Sequence, residues 1–230
     1  MVISDRPLGT YVFTHSPQDA SLSLYNHSFL KLNRSSGSLL GNRLTGSIPK
    51  EFGNITRLRS LVLGTISFLE VFLLELGNLP SLEKILLSSN YFTGELPGTL
   101  ANLTTLKDFR ISNNNFKGKI PNFIQNWTKL QNLMIQANGL DGPIPSGISL
   151  LENLSDLRFS DLSGSETAFP PLSNMKNLKT LILRSCNIMG QIPDYLGTMT
   201  NLKTLVQSQN VLFQGYDDNL YHFRLTDICS

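Results

Sequence analysis

The sequence predicts an α/β solenoid, a right-handed superhelix of stacked units whose short strands form one parallel, concave sheet. One observation is a spacing of 24 residues that recurs along most of the chain. A second is the alternation of apolar residues inside each unit, the signature of a short strand. A third is bulk composition: 230 residues, 40% apolar, 16% charged, formal net charge +2. That chain is long enough for a continuous core and too apolar to be disordered. It is also too nearly neutral for a nucleic-acid binder that works by electrostatics.

The columns of the repeat justify the strand. Leu58, Leu82, Leu106, Leu130, Leu154, Leu178 and Leu202 lie 24 apart. Three residues on stand Leu61, Ile85, Phe109, Leu133, Leu157, Leu181 and Leu205. Two further on stand Leu63, Leu87, Ile111, Ile135, Phe159, Leu183 and then Gln207. Two more apolar columns run Phe52, Leu76, Leu100, Ile124, Ile148, Leu172, Leu196 and Ile55, Leu79, Leu103, Trp127, Leu151, Met175, Met199. One unit cannot bury its own apolar side, so units must stack. Each fully buried Leu or Ile then contributes about 1.5–3 kcal/mol.

After the strand comes a polar column, Asn42, Asn90, Asn114, Asn138, Cys186 and Asn210. A buried Asn must satisfy its amide, and at a strand end it reaches the backbone of its own and the neighbouring unit. Cys186 is a weak donor tolerated in that column. A turn follows, with Gly46, Gly94, Gly118, Gly142 and Gly190, and then an apolar–Pro pair at Pro49, Pro97, Pro121, Pro145 and Pro193. Two units depart. In the 58–81 unit Ile66, Glu70 and Phe72-Leu73 replace Asn, Gly and Ile-Pro, so a distorted convex side is expected. In the 154–177 unit Leu162 replaces Asn and the proline falls one place late, at Pro170.

The segments NRLTGSIP (42–49), NYFTGELP (90–97), NNFKGKIP (114–121) and NGLDGPIP (138–145) resemble the plant-specific leucine-rich repeat. More closely, LGNLPSLEKILLSSN, FIQNWTKLQ and LILRSCNIMGQIPDYLGTMTNLKTL resemble the ectodomains of plant receptor-like serine/threonine kinases that carry a malectin-like domain. The resemblance covers roughly residues 37–210. It implies recognition of a protein, peptide or cell-wall glycan at the extracellular face of the plasma membrane, with a co-receptor, as part of a signalling parent. No kinase motif is present in this chain: no Gly-rich loop with its strand Lys, no H-R-D and no D-F-G. A secreted inhibitor of cell-wall polygalacturonases is the alternative, and a truncated, non-functional product the third.

The organisation read from the columns is a non-repeat segment over 1–36, expected to be poorly ordered, an array over 37–210 and a frayed tail over 211–230. The array holds about seven full repeats and a partial first one. No apolar run is long enough to span a membrane, and no signal peptide is visible. The two cysteines, Cys186 and Cys229, exclude a dense disulfide framework and a Cys-based zinc site, and their pairing is left open. His15, His27 and His222 lie outside the array and share no metal spacing. No catalytic constellation, metal site or cofactor is indicated.

Binding residues are expected on the outward side of the strands, which the alternation places side by side at about 4.8 Å. The candidates are Arg110, Arg158, Arg184, Met134, Gln136, Leu86, Lys84, Asp108 and Asp156. Arginines beside exposed apolar groups characterise interaction surfaces, and the three arginines are expected to anchor carboxylates. Sequons at Asn26, Asn33, Asn54, Asn102, Asn126 and Asn153 are candidate glycosylation sites that suit a secreted protein.

Overall fold

The computed structural model describes residues 2–5, 10–14, 36–40, 53–64 and 72–212. The expected solenoid is present. Its main sheet joins β1 (Val2–Asp5), β2 (Thr10–Thr14), β3 (Ser36–Leu40), β4 (Ser60–Gly64), β5 (Lys84–Leu86), β7 (Asp108–Arg110), β9 (Asn132–Ile135), β10 (Asp156–Ser160), β11 (Thr180–Arg184) and β13 (Thr204–Ser208), in that order. The two-residue strands β6 (Thr93–Gly94), β8 (Asn115–Phe116), β12 (Met189–Gly190) and β14 (Val211–Leu212) pair β6 with β8 and β12 with β14 beside it. From β3 onward each main strand is parallel to the next and offset by 24 residues, so Leu61, Ile85, Phe109, Leu133, Leu157, Leu181 and Leu205 stack as rungs. The segment 1–36, expected to be poorly ordered, contributes β1 and β2, antiparallel to each other, with β2 parallel to β3. Asn42, Cys229 and the tail beyond Leu212 lie outside the described residues.

The unit is built by two local choices. The first is a proline that ends one extended segment and starts a 3₁₀ turn. Pro97, Pro121, Pro145 and Pro193 precede the turns Gly98–Asn102, Asn122–Asn126, Ser146–Leu150 and Asp194–Thr198, which bury Leu100, Ile124, Ile148 and Leu196. Tight i→i+3 closures, such as Leu103 N to Leu100 O at 3.1 Å, keep this side slim. The aberrant 58–81 unit forms a five-residue α-helix, α1 (Phe72–Leu76), in place of the 3₁₀ turn. In the 154–177 unit no 3₁₀ turn forms. There the Tyr195 hydroxyl of the next unit donates to Pro170 O at 2.8 Å and accepts from Leu172 N at 3.1 Å, tying down the displaced proline.

The second choice is a left-handed residue that turns the chain out of each strand. Ser89, Asn113, Ala137, Asp161, Ser185 and Gln209 have φ between 47° and 59°, again 24 apart. None is glycine, so each corner stores strain of order 1 kcal/mol or more. The Asn column compensates. The Asn114 amide nitrogen donates to Leu87 O at 2.9 Å and Ile111 O at 2.8 Å, and its oxygen accepts from Phe92 N at 3.1 Å. Asn90 and Asn210 likewise reach back 27 residues, to Leu63 O and Leu183 O. Cys186 makes a weak Sγ bond to Arg184 O at 3.2 Å, while the adjacent Asn187 donates to Leu162 O and Gly164 O. Trp127 is fully buried, its ring packed on Phe109 and its indole N–H donating to Leu100 O at 2.9 Å.

Two stability measurements follow. Asn138 makes bonds only through its nitrogen and leaves a buried Oδ1 without a partner, whereas Asn114 uses both ends. Asn114→Ala is therefore expected to cost about 2–3 kcal/mol in urea denaturation. Asn138→Ala is expected to cost less, and equal costs would discard the ladder argument. Ala137→Gly relieves a left-handed alanine with an exposed side chain. It is expected to stabilise by roughly 0.5–1 kcal/mol, read as a raised urea midpoint.

Candidate ligand-binding face

Strand alternation builds the exposed face. Leu133, Ile135, Leu157, Phe159, Leu181 and Leu183 are fully buried, and the residues between them face outward. Three outward rows cross the sheet. The first runs Lys84, Asp108, Asn132, Asp156, Thr180 and Thr204. The second runs Leu86, Arg110, Met134, Arg158, Ile182 and Val206. The third brings Ser160, Arg184 and Ser208 into register.

Within these rows the arginines are not equivalent. Arg110 donates through Nε and Nη2 to the two carboxylate oxygens of Asp108, at 2.7 and 3.1 Å. Arg158 does the same to Asp156, at 2.7 and 2.8 Å. Each is a two-bond fork along one strand, between residues two apart and so on the same face. Hydrogen bonding to Asp156 holds the Arg158 pKa above its ordinary value. Arg184 is exposed and makes no ion pair among the described residues, as is true of Lys84. Arg110 and Arg158, expected to anchor carboxylates, thus each hold an aspartate of their own strand. Asp108, expected to be exposed, is buried at 5% because the Arg110 side chain lies over it.

Ser160 is also buried. Its hydroxyl accepts from Ala137 N at 3.1 Å and donates to the Asp161 carboxylate. Met134 and Gln136 are half-buried, as is Leu86. The D-x-R spacing at 108–110 and 156–158 was the available sequence signal for the forks. On the flank where the strands begin, Glu83 bonds Lys107 at 2.8 Å and Arg59 at 3.1 Å. The Lys107 hydrogen bond leads in holding the Glu83 carboxyl below its ordinary value, helped by the two positive charges.

The sequons Asn54, Asn102, Asn126 and Asn153 are all exposed. Asn102 and Asn126 each close a 3₁₀ turn. Asn153 instead donates its amide nitrogen to Thr128 O at 2.8 Å, in a row shared with Asn177 and Asn201. Asn26 and Asn33 lie outside the described residues. Among the described residues no cluster of His, Cys, Asp or Glu is arranged to hold a metal, and no helix is long and apolar enough to cross a membrane.

Three of the repeats match the Leucine Rich Repeat family model, at residues 81–103, 105–127 and 177–199. Two probable LRR receptor-like serine/threonine-protein kinases of Arabidopsis thaliana, At1g53430 and At1g53440, are 49% identical over 59 residues and 50% identical over 54. Those stretches are 25% and 23% of this chain but only 6% and 5% of the relatives' own lengths. Among solved structures, the Arabidopsis receptor kinase HAESA, in complex with the peptide hormone IDA and the co-receptor SERK1, matches with TM-score 0.72 and 30% identity. The match covers 77% of this chain and 30% of HAESA. The plant peptide hormone receptor RGFR1, in complex with RGF2, matches with TM-score 0.70 and 31% identity, over 77% of this chain and 28% of that one.

Burial, with the Asp161 charge adding to it, pushes the Cys186 thiol up from 9.0 to about 12. The folded chain therefore binds more protons than the unfolded chain between those values, and stability falls as pH rises through that window. In reducing buffer, the urea midpoint is expected to drop more between neutral pH and roughly pH 10 than it does in Cys186→Ala. Equal drops in the two proteins would remove Cys186 from the alkaline response.

Proposed function

We propose that this leucine-rich-repeat chain, similar to the ectodomains of plant receptor kinases, is a recognition module that binds a peptide or protein ligand on its concave sheet. It acts on the extracellular side of the plasma membrane, within a receptor whose kinase resides in other parts of the parent. The chain itself is non-catalytic. The observation that carries the reading is the second outward row, where Leu86, Met134 and Ile182 alternate with Arg110 and Arg158 on an in-register sheet and Val206 follows. Apolar groups and guanidinium groups held at fixed spacing suit a ligand lying across successive strands. The likeness to HAESA and RGFR1, each solved with a peptide hormone, supports the same reading. Co-receptor engagement, which the HAESA complex displays, and glycosylation at Asn54, Asn102 and Asn126 are parts of this proposal.

The test uses the secreted chain immobilised against an extracellular peptide fraction, beside a Leu86→Glu/Ile182→Glu variant. The wild type is expected to retain a peptide set that the variant retains at least tenfold less, with unchanged circular dichroism. Equal retention would move recognition off the concave sheet. Retention of no peptide, together with inhibition of a polygalacturonase, would favour the secreted-inhibitor alternative.

A further inference from the structure

We propose that Arg110 and Arg158, standing on either side of Met134, form a slot for one aromatic side chain of the ligand. This rests on the peptide-recognition reading above and names the chemistry at the centre of that face. The three residues are in strict register on adjacent strands, Arg110 opposite Met134 and Met134 opposite Arg158. Neighbouring strands lie about 4.8 Å apart, so the backbones that carry the two arginines stand roughly 10 Å apart across Met134. A ring with a packed plane on each side needs about 7–8 Å. The gap therefore takes one ring and not two.

The forks decide what the arginines recognise. Nε and Nη2 of each guanidinium are committed to Asp108 or Asp156. A ligand carboxylate entering here meets two aspartates as well as two arginines, and the pairwise charges cancel. Each arginine, its side chain 37% or 34% exposed, still offers the flat face of its guanidinium, with the Nη1 hydrogens and one Nη2 hydrogen at its edge. That face attracts the negative face of an aromatic ring, and arginine stacks where lysine does not. The forks also fix the planes in advance, so little further freedom is lost when a ring enters. At the floor, the Met134 thioether provides a favourable contact for a ring. A bare anion goes elsewhere on the sheet, to Arg184, whose guanidinium has no such partner among the described residues.

The experiment uses the full chain labelled with ¹³C at the methionine methyl groups, with the Met134 signal assigned through Met134→Leu. N-acetyl-tryptophan amide, N-acetyl-leucine amide and sodium acetate are titrated separately. The expected result is a saturable upfield ring-current shift at Met134 with the tryptophan amide and no comparable shift with the leucine amide or acetate. Arg110→Lys/Arg158→Lys keeps the charge and loses the planes. It is expected to need roughly tenfold more tryptophan amide for the same shift, while the Met175, Met189 and Met199 signals stay in place. No shift with the tryptophan amide, an equal response in the lysine variant, or a larger response to acetate would each overturn the slot. If the slot fails while the Leu86→Glu/Ile182→Glu comparison still separates peptides, concave recognition stands without it. If the slot holds and that comparison fails, the fault lies with the broader reading.

Discussion

Six successive units of the described chain turn the same corner. Among the described residues the chain leaves six successive concave strands through a residue with positive φ, and where Asn90, Asn114, Asn138 or Asn210 follows, its amide ties the new corner to the strand before it. The corner is strained at six successive sites without a glycine among them. It persists because the bonds made by the following amide, and the stacking of inward leucines beneath it, over-determine the geometry. The fixed exit direction places each proline and each 3₁₀ turn at the same height, and that in turn sets the next strand into register with its neighbour. The outward rows inherit their regularity from this corner, although none of their side chains takes part in it.

Much of this was legible in the sequence, for identifiable reasons. A column of Leu and Ile at constant spacing reports burial directly, because few other side chains fill a fully buried rung. The strand and the proline turn announce themselves in the same way. The left-handed corner does not, since Ser, Asn, Ala, Asp, Ser and Gln share no property that a sequence reader would align. Its strain is supported by the neighbouring column rather than by its own residue type. The two Asp–Arg forks were visible as residues but not as partners: counting formal charges on a face leaves out which charges cancel. The buried position of Asp108 and Ser160 was also hidden, because strand alternation places both on the outward side.

The difference between forked and unforked arginines gives the concave sheet an uneven electrostatic character. Over β7 and β10 the positive groups are matched within their own strands, and the surface there is polar, stiff and close to neutral. At Lys84 and Arg184 the positive charge is open to solvent. Exposed charges steer approaching partners and respond to salt, whereas matched planar groups contribute shape and stacking. The same residue type therefore performs two kinds of work within a few ångströms. The division is set by whether an aspartate stands two residues earlier on the same strand.

The amide bonds that reach back 27 residues also govern how such a chain changes length over evolutionary time. Each unit is completed by atoms of the one before it, so a gain or loss of a few residues within a strand or corner leaves one set of carbonyls facing the wrong partners. Removing or duplicating a whole 24-residue unit preserves the strand register and the 27-residue reach of the amides wherever the Asn column is kept. Loop insertions aside, the array is built to lengthen and shorten in whole steps. The sheet can thus widen by recombination of whole units without breaking the backbone register of its strands.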